Sequence, residues 1–262
     1  MSSTASALAT RDSYDGMAAV YDRFTAHHDY DAWTATLERL AHAHGLRGRR
    51  LLDAGCGTGK SFLPFLRRGY DVTAFDLSPA MAAIAAAKAP GVPVHVHDVA
   101  TVPVLGRFDL VCCLDDCLNH LLEPERLAAA FGRLAANLAP DGLVVFDVNT
   151  LATYGGFFSD LLVDPSPDEV LVWTGRTAPE PEASTVASAT LAAYRRGPEG
   201  AWDRIDVTHR QRHYTRAEVR AALAAARLEE VAVYGQGLDG RPEPGLDEHA
   251  HTKAVYLARH AR

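Results

Sequence analysis

The sequence predicts an α/β domain built on a parallel sheet, and three observations carry that expectation. Short apolar strands alternate with helices across roughly residues 50–150, the pattern of a sheet covered on both faces. A glycine-rich turn, DAGCGTGKS at 53–61, follows the first of these strands. Acidic residues end the next two strands, at the edge where open α/β sheets hold ligands.

The elements follow in order. A helix is expected over 12–28, with a loop after it. In DYDAWTATLERLAHAHG, Trp33, Leu37 and Leu40 fall at helical spacing and Gly45 ends the run. RRLLDA is the first strand, and KSFLPFLRRG a brief helix after the turn. YDVTAFD is the second strand; Ser78-Pro79 then caps the helix SPAMAAIAAAKA. VPVHVHD and FDLVCCLDD are the third and fourth strands. A helix over 124–139 stops at the turn Pro140-Asp141-Gly142, and GLVVFDVN is the fifth strand. Residues 151–170 read as a loop. LVWTGRT, STVASATLAAYRR and WDRIDVTHRQRHY read as antiparallel strands, two of them joined at residues 197–200, and form a cap inserted into the domain. YTRAEVRAAL is a helix, with Thr215 and Glu218 placed for a capping box. VAVYG and AVYLARH close the sheet, with a mobile loop at 235–252 between them.

With 262 residues the chain can bury one core with an elaboration. A net charge of −7 argues against a nucleic-acid surface and against anionic membranes. The start, MSSTASALATRD, lacks the basic and apolar runs of a secretory signal, and no stretch is long enough to span a membrane. The four cysteines (56, 112, 113 and 117) have neither disulfide-framework nor zinc spacing, so a cytoplasmic protein with reduced thiols and no metal is expected.

The glycine turn admits three ligands. As a dinucleotide loop it lacks the third glycine, since that position is Lys60. As a phosphate-gripping loop it has Ala54 in place of the first glycine, and the Asp53 carboxylate at its mouth would repel phosphates. A ligand with a ribose, no phosphates and a cationic centre suits it better, and S-adenosylmethionine is such a ligand. Gly55 and Gly57 would let the backbone approach its amino-acid end, Asp76 would hold the ribose hydroxyls, and Asp98 would accept from the adenine amine.

The ordered series LLDAGCGTG, VTAFDLSPAM, VHVHD, FDLVCCLDDCLNHL and GLVVFDVN resembles the motifs of class I S-adenosylmethionine-dependent methyltransferases. The resemblance implies a Rossmann-like sheet of seven strands, the last antiparallel. It also implies that Leu77 and Met81 flank the adenosine, that the Val99 amide meets adenine, and that the Leu114 carbonyl meets the methionyl ammonium. YDGMAAVYDRF and DYDAW are similar to an N-terminal lid of small-molecule N-methyltransferases in this class, with Tyr14, Tyr21 and Trp33 as the matching aromatics. LNHL at 118–121 resembles the aminosugar N-methyltransferases, where a histidine stands beside the acceptor. The expected parts are a lid at 1–45, a cofactor-binding core at 46–150 and 213–262, and a β cap at 151–212.

Methyl transfer to an amine needs alignment, exclusion of water and removal of one proton. His120 is the candidate base, the alternative being a structural histidine bonded to a carbonyl. Asp115 and Asp116 could bind a cationic acceptor, orient His120 or cap a helix. Asp53 is expected to support the glycine turn. Tyr14 and Tyr21 share a helical face and could simply pack down. His209 and His213, alternating with Arg210 and Arg212, read as a largely solvated face, though one face could line the acceptor pocket, and Lys60 and Ser61 as the exposed start of a helix. The expected partner is a small-molecule acceptor, nitrogen before oxygen, with a homodimer through an exposed edge of the cap as a further option. A cofactor-binding protein that does not transfer methyl groups is the competing class, and an ATPase the third.

Overall fold

The computed structural model describes residues 3–197 and 199–261; Pro198, in the turn expected at 197–200, lies outside them. Helix α1 (Ser3–Phe24) begins well before the expected residue 12, and α2 (Tyr30–Ala43) is capped by Asp29, whose carboxylate accepts from Ala32 N at 3.0 Å. The sheet strands are β1 (Arg50–Ala54), β2 (Asp71–Asp76), β3 (Val94–Val96), β4 (Phe108–Cys113) and β5 (Leu138–Asn149). Helices α3 (Leu63–Arg67), α4 (Pro79–Lys88) and α5 (Pro124–Asn137) connect them.

After β5 come a short α6 (Leu151–Gly155) and the strands β6 (Leu161–Pro165), β7 (Glu169–Gly175), β8 (Val186–Arg196) and β9 (Trp202–Arg212). Helix α7 (Arg216–Ala225) opens with the expected Thr215–Glu218 capping box and leads to β10 (Leu228–Gln236), β11 (Pro242–Pro244) and β12 (Lys253–His260).

The main sheet runs β11-β10-β12-β5-β4-β1-β2-β3. Its β1–β5 strands pair in parallel, and β12 enters antiparallel beside β5. The seven strands implied by the motifs are present, and β11 is an eighth. It pairs with Gly235 and Gln236 inside the segment expected to be a loop. The expected turn at Pro140-Asp141-Gly142 is instead a bulge within β5. Phe108 pairs with Leu138 and Leu110 with Leu143, so the exposed Pro140 and Asp141 loop out while the strand continues. The stretch 151–170 also differs from its loop reading, since α6 and β6 occupy much of it.

Strands β6 to β9 form a second, antiparallel sheet in sequence order. Along β8, Ala187, Ala189, Leu191 and Ala193 are buried with the period of two that packs one sheet face. That face closes over α1, where Met17 and Val20 meet Leu171, Trp173, Leu191 and Val207 in one apolar cluster. Helix α1 thus lies between the second sheet and the carboxyl edge of the first. Among the described residues no helix is long and apolar enough to cross a membrane.

Candidate active site

A cleft lies under α1 at the carboxyl ends of β1, β2 and β4. Its floor is the glycine turn, pinned to β2 by Gly55 N and Cys56 N, which both donate to the Phe75 carbonyl at 2.8 and 3.0 Å. Gly55 has φ +74°, and a Cβ there would stand 2.4 Å from Cys117 Sγ; both conditions require glycine. Gly57 donates its N–H to Asp76 Oδ2 at 2.8 Å, while Asp76 Oδ1 accepts from Ser78 N at 2.8 Å. Among the described residues no cation pairs with Asp76, so its carboxylate keeps capacity for ligand hydroxyls. Burial raises its pKa to about 6, against the backbone bonds that lower it.

Helix α1 is fastened to this floor. Asp15 accepts from Ser78 Oγ at 2.5 Å and from Ala80 N at 3.1 Å, which ties α1 to the start of α4. Asp22 accepts from Thr58 Oγ1 at 2.6 Å and pairs with Lys88. Lys60, the residue behind the phosphate-loop reading, gives its ammonium to Thr25 O and Oγ1 at 2.9 and 2.8 Å. Ser61 donates to Asp53 Oδ2 at 2.5 Å. Lys60 and Ser61 are therefore not an exposed helix start: Ser61 is buried, and α3 begins only at Leu63.

Most of the expected cofactor residues reach the cleft. Tyr14 and Tyr21 cover it from α1, Leu77, Asp98 and Val99 wall the side beyond β2, and Leu114 follows β4. Asp98 accepts from Ala100 N at 2.8 Å and pairs with Arg126 at 2.5 Å, which places one carboxylate oxygen in an ion pair. Three expected residues are not brought to the wall. Trp33 is buried behind it, donating to Gln236 Oε1 at 2.7 Å. Met81 is in the apolar cluster beneath α1. Asp53 is sealed under the turn with Oδ1 unpartnered, and burial raises its pKa to about 7.

Beside the cleft is a second cavity of about 640 Å³, between α1, the antiparallel sheet and the β10–β12 connection. Tyr14, Tyr21 and Asp115 line both spaces. Asp116 belongs to the second cavity alone of the two. At the boundary Asp115 and Asp116 both have left-handed backbones, φ 62° and 54°. Their amides converge on the Asp147 carboxylate of β5 at 2.6 and 3.0 Å. Lys253 of β12 holds this corner, with Nζ 2.8 Å from Asp147, 3.0 Å from Asp116 and 3.3 Å from Asp115. Burial opposes ionisation of Asp115, but Lys253 and the Tyr30 hydroxyl at 2.6 Å outweigh it and hold the carboxyl below its usual range. The Asp116 pKa is raised, chiefly by burial.

His120, on a 3₁₀ turn (Cys117–His120) after β4, lines the cleft. Its Nε2 is 2.8 Å from the Tyr14 hydroxyl and 3.2 Å from Gln211 Nε2, and its ring also bonds the Arg210 carbonyl. Burial lowers its pKa to about 4, so the ring is uncharged at neutral pH. With one ring N–H given to Arg210 O, Nε2 presents its lone pair to Tyr14. Tyr14, Tyr21 and Tyr30 have pKa values raised chiefly by burial and act as neutral hydroxyls.

His209 and His213 are buried, so the largely solvated reading fails for both, while His209 takes the alternative, on the face that lines the second cavity. Val207, His209 and Gln211 alternate inward, and the intervening Thr208 and Arg210 face out. Sequence reasoning also missed Tyr30, Asp147 and Lys253. A lysine opening an apolar strand, as in KAVYLARH, was the available signal for the last.

Residues 51–142 match the family model described as a methyltransferase domain. A protein of Geobacillus sp. (strain WCH70), assigned by name to the methyltransferases, is 31% identical over 208 residues, covering 77% of this chain and 83% of the relative. The dTDP-3-amino-3,6-dideoxy-alpha-D-glucopyranose N,N-dimethyltransferase of Streptomyces fradiae is 29% identical over 205 residues, 76% of this chain and 78% of that protein. A solved S-adenosylmethionine-dependent methyltransferase from Clostridium acetobutylicum ATCC 824 has a TM-score of 0.79 at 20% identity, covering 95% of this chain and 99% of the other.

Proposed function

Because the chain belongs to the S-adenosylmethionine-dependent methyltransferases and takes small-molecule acceptors, we propose that the atom it methylates is an amine nitrogen. The observation that carries this reading is the corner where Asp115 and Asp116 line the second cavity, with Asp147 buried behind them and Lys253 the one cation bonded to all three. An excess of carboxylate at the reacting end stabilises a nitrogen that becomes cationic as it gains a methyl group. The Streptomyces fradiae relative, named for N,N-dimethylation, supports the same choice.

S-adenosylmethionine, when bound, supplies an electrophilic methyl group on a sulfonium. The residues present suit it: Asp76 for the ribose hydroxyls, Leu77 and Val99 beside the base, the bare Gly55–Gly57 backbone and Leu114 for the amino-acid end. The α1 lid, fastened through Asp15 and Asp22, excludes water from that space. In the proposed mechanism the acceptor occupies the second cavity. Its nitrogen meets the Tyr14 hydroxyl and the Asp115–Asp116 corner.

His120 holds the Tyr14 hydroxyl in place, because that hydroxyl donates to the Nε2 lone pair. A ring titrating at about 4 is a weak base, so an alkylammonium acceptor reacts from its free-base fraction. His120→Gln is expected to lower kcat up to roughly 10²-fold by misplacing the Tyr14 hydroxyl at the reacting end. Cofactor affinity should stay unchanged, and the rise of kcat/KM with pH should remain, because the acceptor's own ionisation sets it. A variant that keeps kcat, or that shifts this pH limb, contradicts the role given to His120.

A further inference from the structure

We infer that the acceptor is an amine borne on an apolar, ring-containing body free of phosphate, held against a wall of three aromatic rings in the second cavity. The inference rests on the amine reading above and narrows it to a substrate class.

The wall is assembled from three separate segments. Phe157, after α6, stacks on Trp173 of β7 with centroids 4.4 Å apart and planes at 22°. Phe24, at the end of α1, packs on the same indole at 5.6 Å and 30°, and lies 6.4 Å from Phe157. All three line the cavity. Trp173 is fixed in orientation because its Nε1 donates to the Phe157 carbonyl at 2.7 Å. Aromatic faces held in register recognise a flat or alicyclic body through area and stacking.

The charges on the remaining wall exclude phosphate. Asp115, Asp116 and Asp160 line the cavity, and among its described lining residues Lys253 is the only lysine or arginine. Its ammonium is already shared among three carboxylates. Two histidines, His27 and His28, also line it, and His28 is held uncharged, its pKa lowered chiefly by burial. A diphosphate would lie among like charges with no free guanidinium or ammonium to receive it, a strongly repulsive placement in a desolvated space.

His209 adds one directional contact. Its ring lies 5.4 Å from Trp173 and 5.6 Å from Tyr14, and its Nε2 is buried with no hydrogen-bond partner. Burial lowers its pKa to about 3, so the ring is neutral and offers a single hydrogen bond to a hydroxyl or carbonyl on the acceptor body.

The test uses the full chain, S-adenosylmethionine labelled in its methyl group, and a small-molecule extract of cells that carry the protein. Labelled products are separated on cation and anion exchangers, and dTDP-3-amino-3,6-dideoxyglucose is assayed alone as a nucleotide-linked probe. The expected result is a labelled product, resolved from the cationic S-adenosylmethionine itself, that is held by the cation exchanger, with no turnover of the probe. Phe157→Leu removes one ring while leaving the carbonyl that orients Trp173. It should raise KM for that product's precursor about tenfold, with kcat and cofactor affinity little changed. Turnover of the probe, an N-methylated product held by the anion exchanger, or no labelled cation other than S-adenosylmethionine overturns the inference. An O-methylated product instead removes the amine reading on which it rests.

Discussion

Asp76→Asn is expected to weaken S-adenosylmethionine binding by roughly 10²–10³-fold while leaving the protein folded. The wild-type carboxylate accepts from Gly57 N and Ser78 N and still faces the cleft. An amide in its place offers one acceptor oxygen, so one backbone donor loses its partner and the ribose hydroxyls lose a charged one. The lost backbone bond is common to the free and the bound protein and lowers stability, whereas the weakened bonds to the two ribose hydroxyls, together about 3–4 kcal/mol, give the stated range. The pH dependence follows from the same group. Its folded pKa of about 6 lies above the ordinary 3.8 of an aspartate, so the folded protein holds this proton more tightly than the unfolded chain. The stability that the protonated form contributes is present below about pH 4 and lost as pH rises through 6. Cofactor binding, which needs the carboxylate, should strengthen over that window and fall about tenfold per unit below pH 6. Titration calorimetry from pH 5 to 8 checks both; an affinity flat across that range, or equal in Asp76→Asn, contradicts the role.

Lys253→Met is expected to be the most destabilising single change at the site, by roughly 3–5 kcal/mol, because it strands buried carboxylates without their cation. Asp147 is fully buried, and Asp115 and Asp116 stand in left-handed conformations that bulky residues avoid. Their amides are held by Asp147, which Lys253 holds in turn, so the corner is one coupled unit. Adding Asp147→Asn to Lys253→Met should recover part of the loss. Urea denaturation of the two single variants and the double variant measures this coupling; additive effects would show that the corner is not a unit.

The cofactor half of the site was legible because its signals are local. Gly55, Gly57 and Asp76 lie in two consecutive strand–turn units, where spacing alone places them at one sheet edge. Trp33 and Met81 have the right types and positions in sequence, but each rotates into an apolar cluster, a choice made by packing that no spacing records. The acceptor half was harder to read because it is assembled across the chain. Lys253 reaches Asp115 only because β12 inserts beside β5, and Phe24, Phe157 and Trp173 converge only once the second sheet folds over α1. His209 read as solvated because β9 looks polar; its burial comes from the α1 helix that covers it.

The most direct test of amine methylation is the position of the transferred carbon. The protein is incubated with S-adenosylmethionine carrying a ¹³C methyl group and an extract of cells grown on ¹⁵N, and the small-molecule product is examined by NMR. A labelled methyl carbon coupled to ¹⁵N is the expected result. A labelled methyl on oxygen, or label found only in protein or nucleic acid, would contradict it.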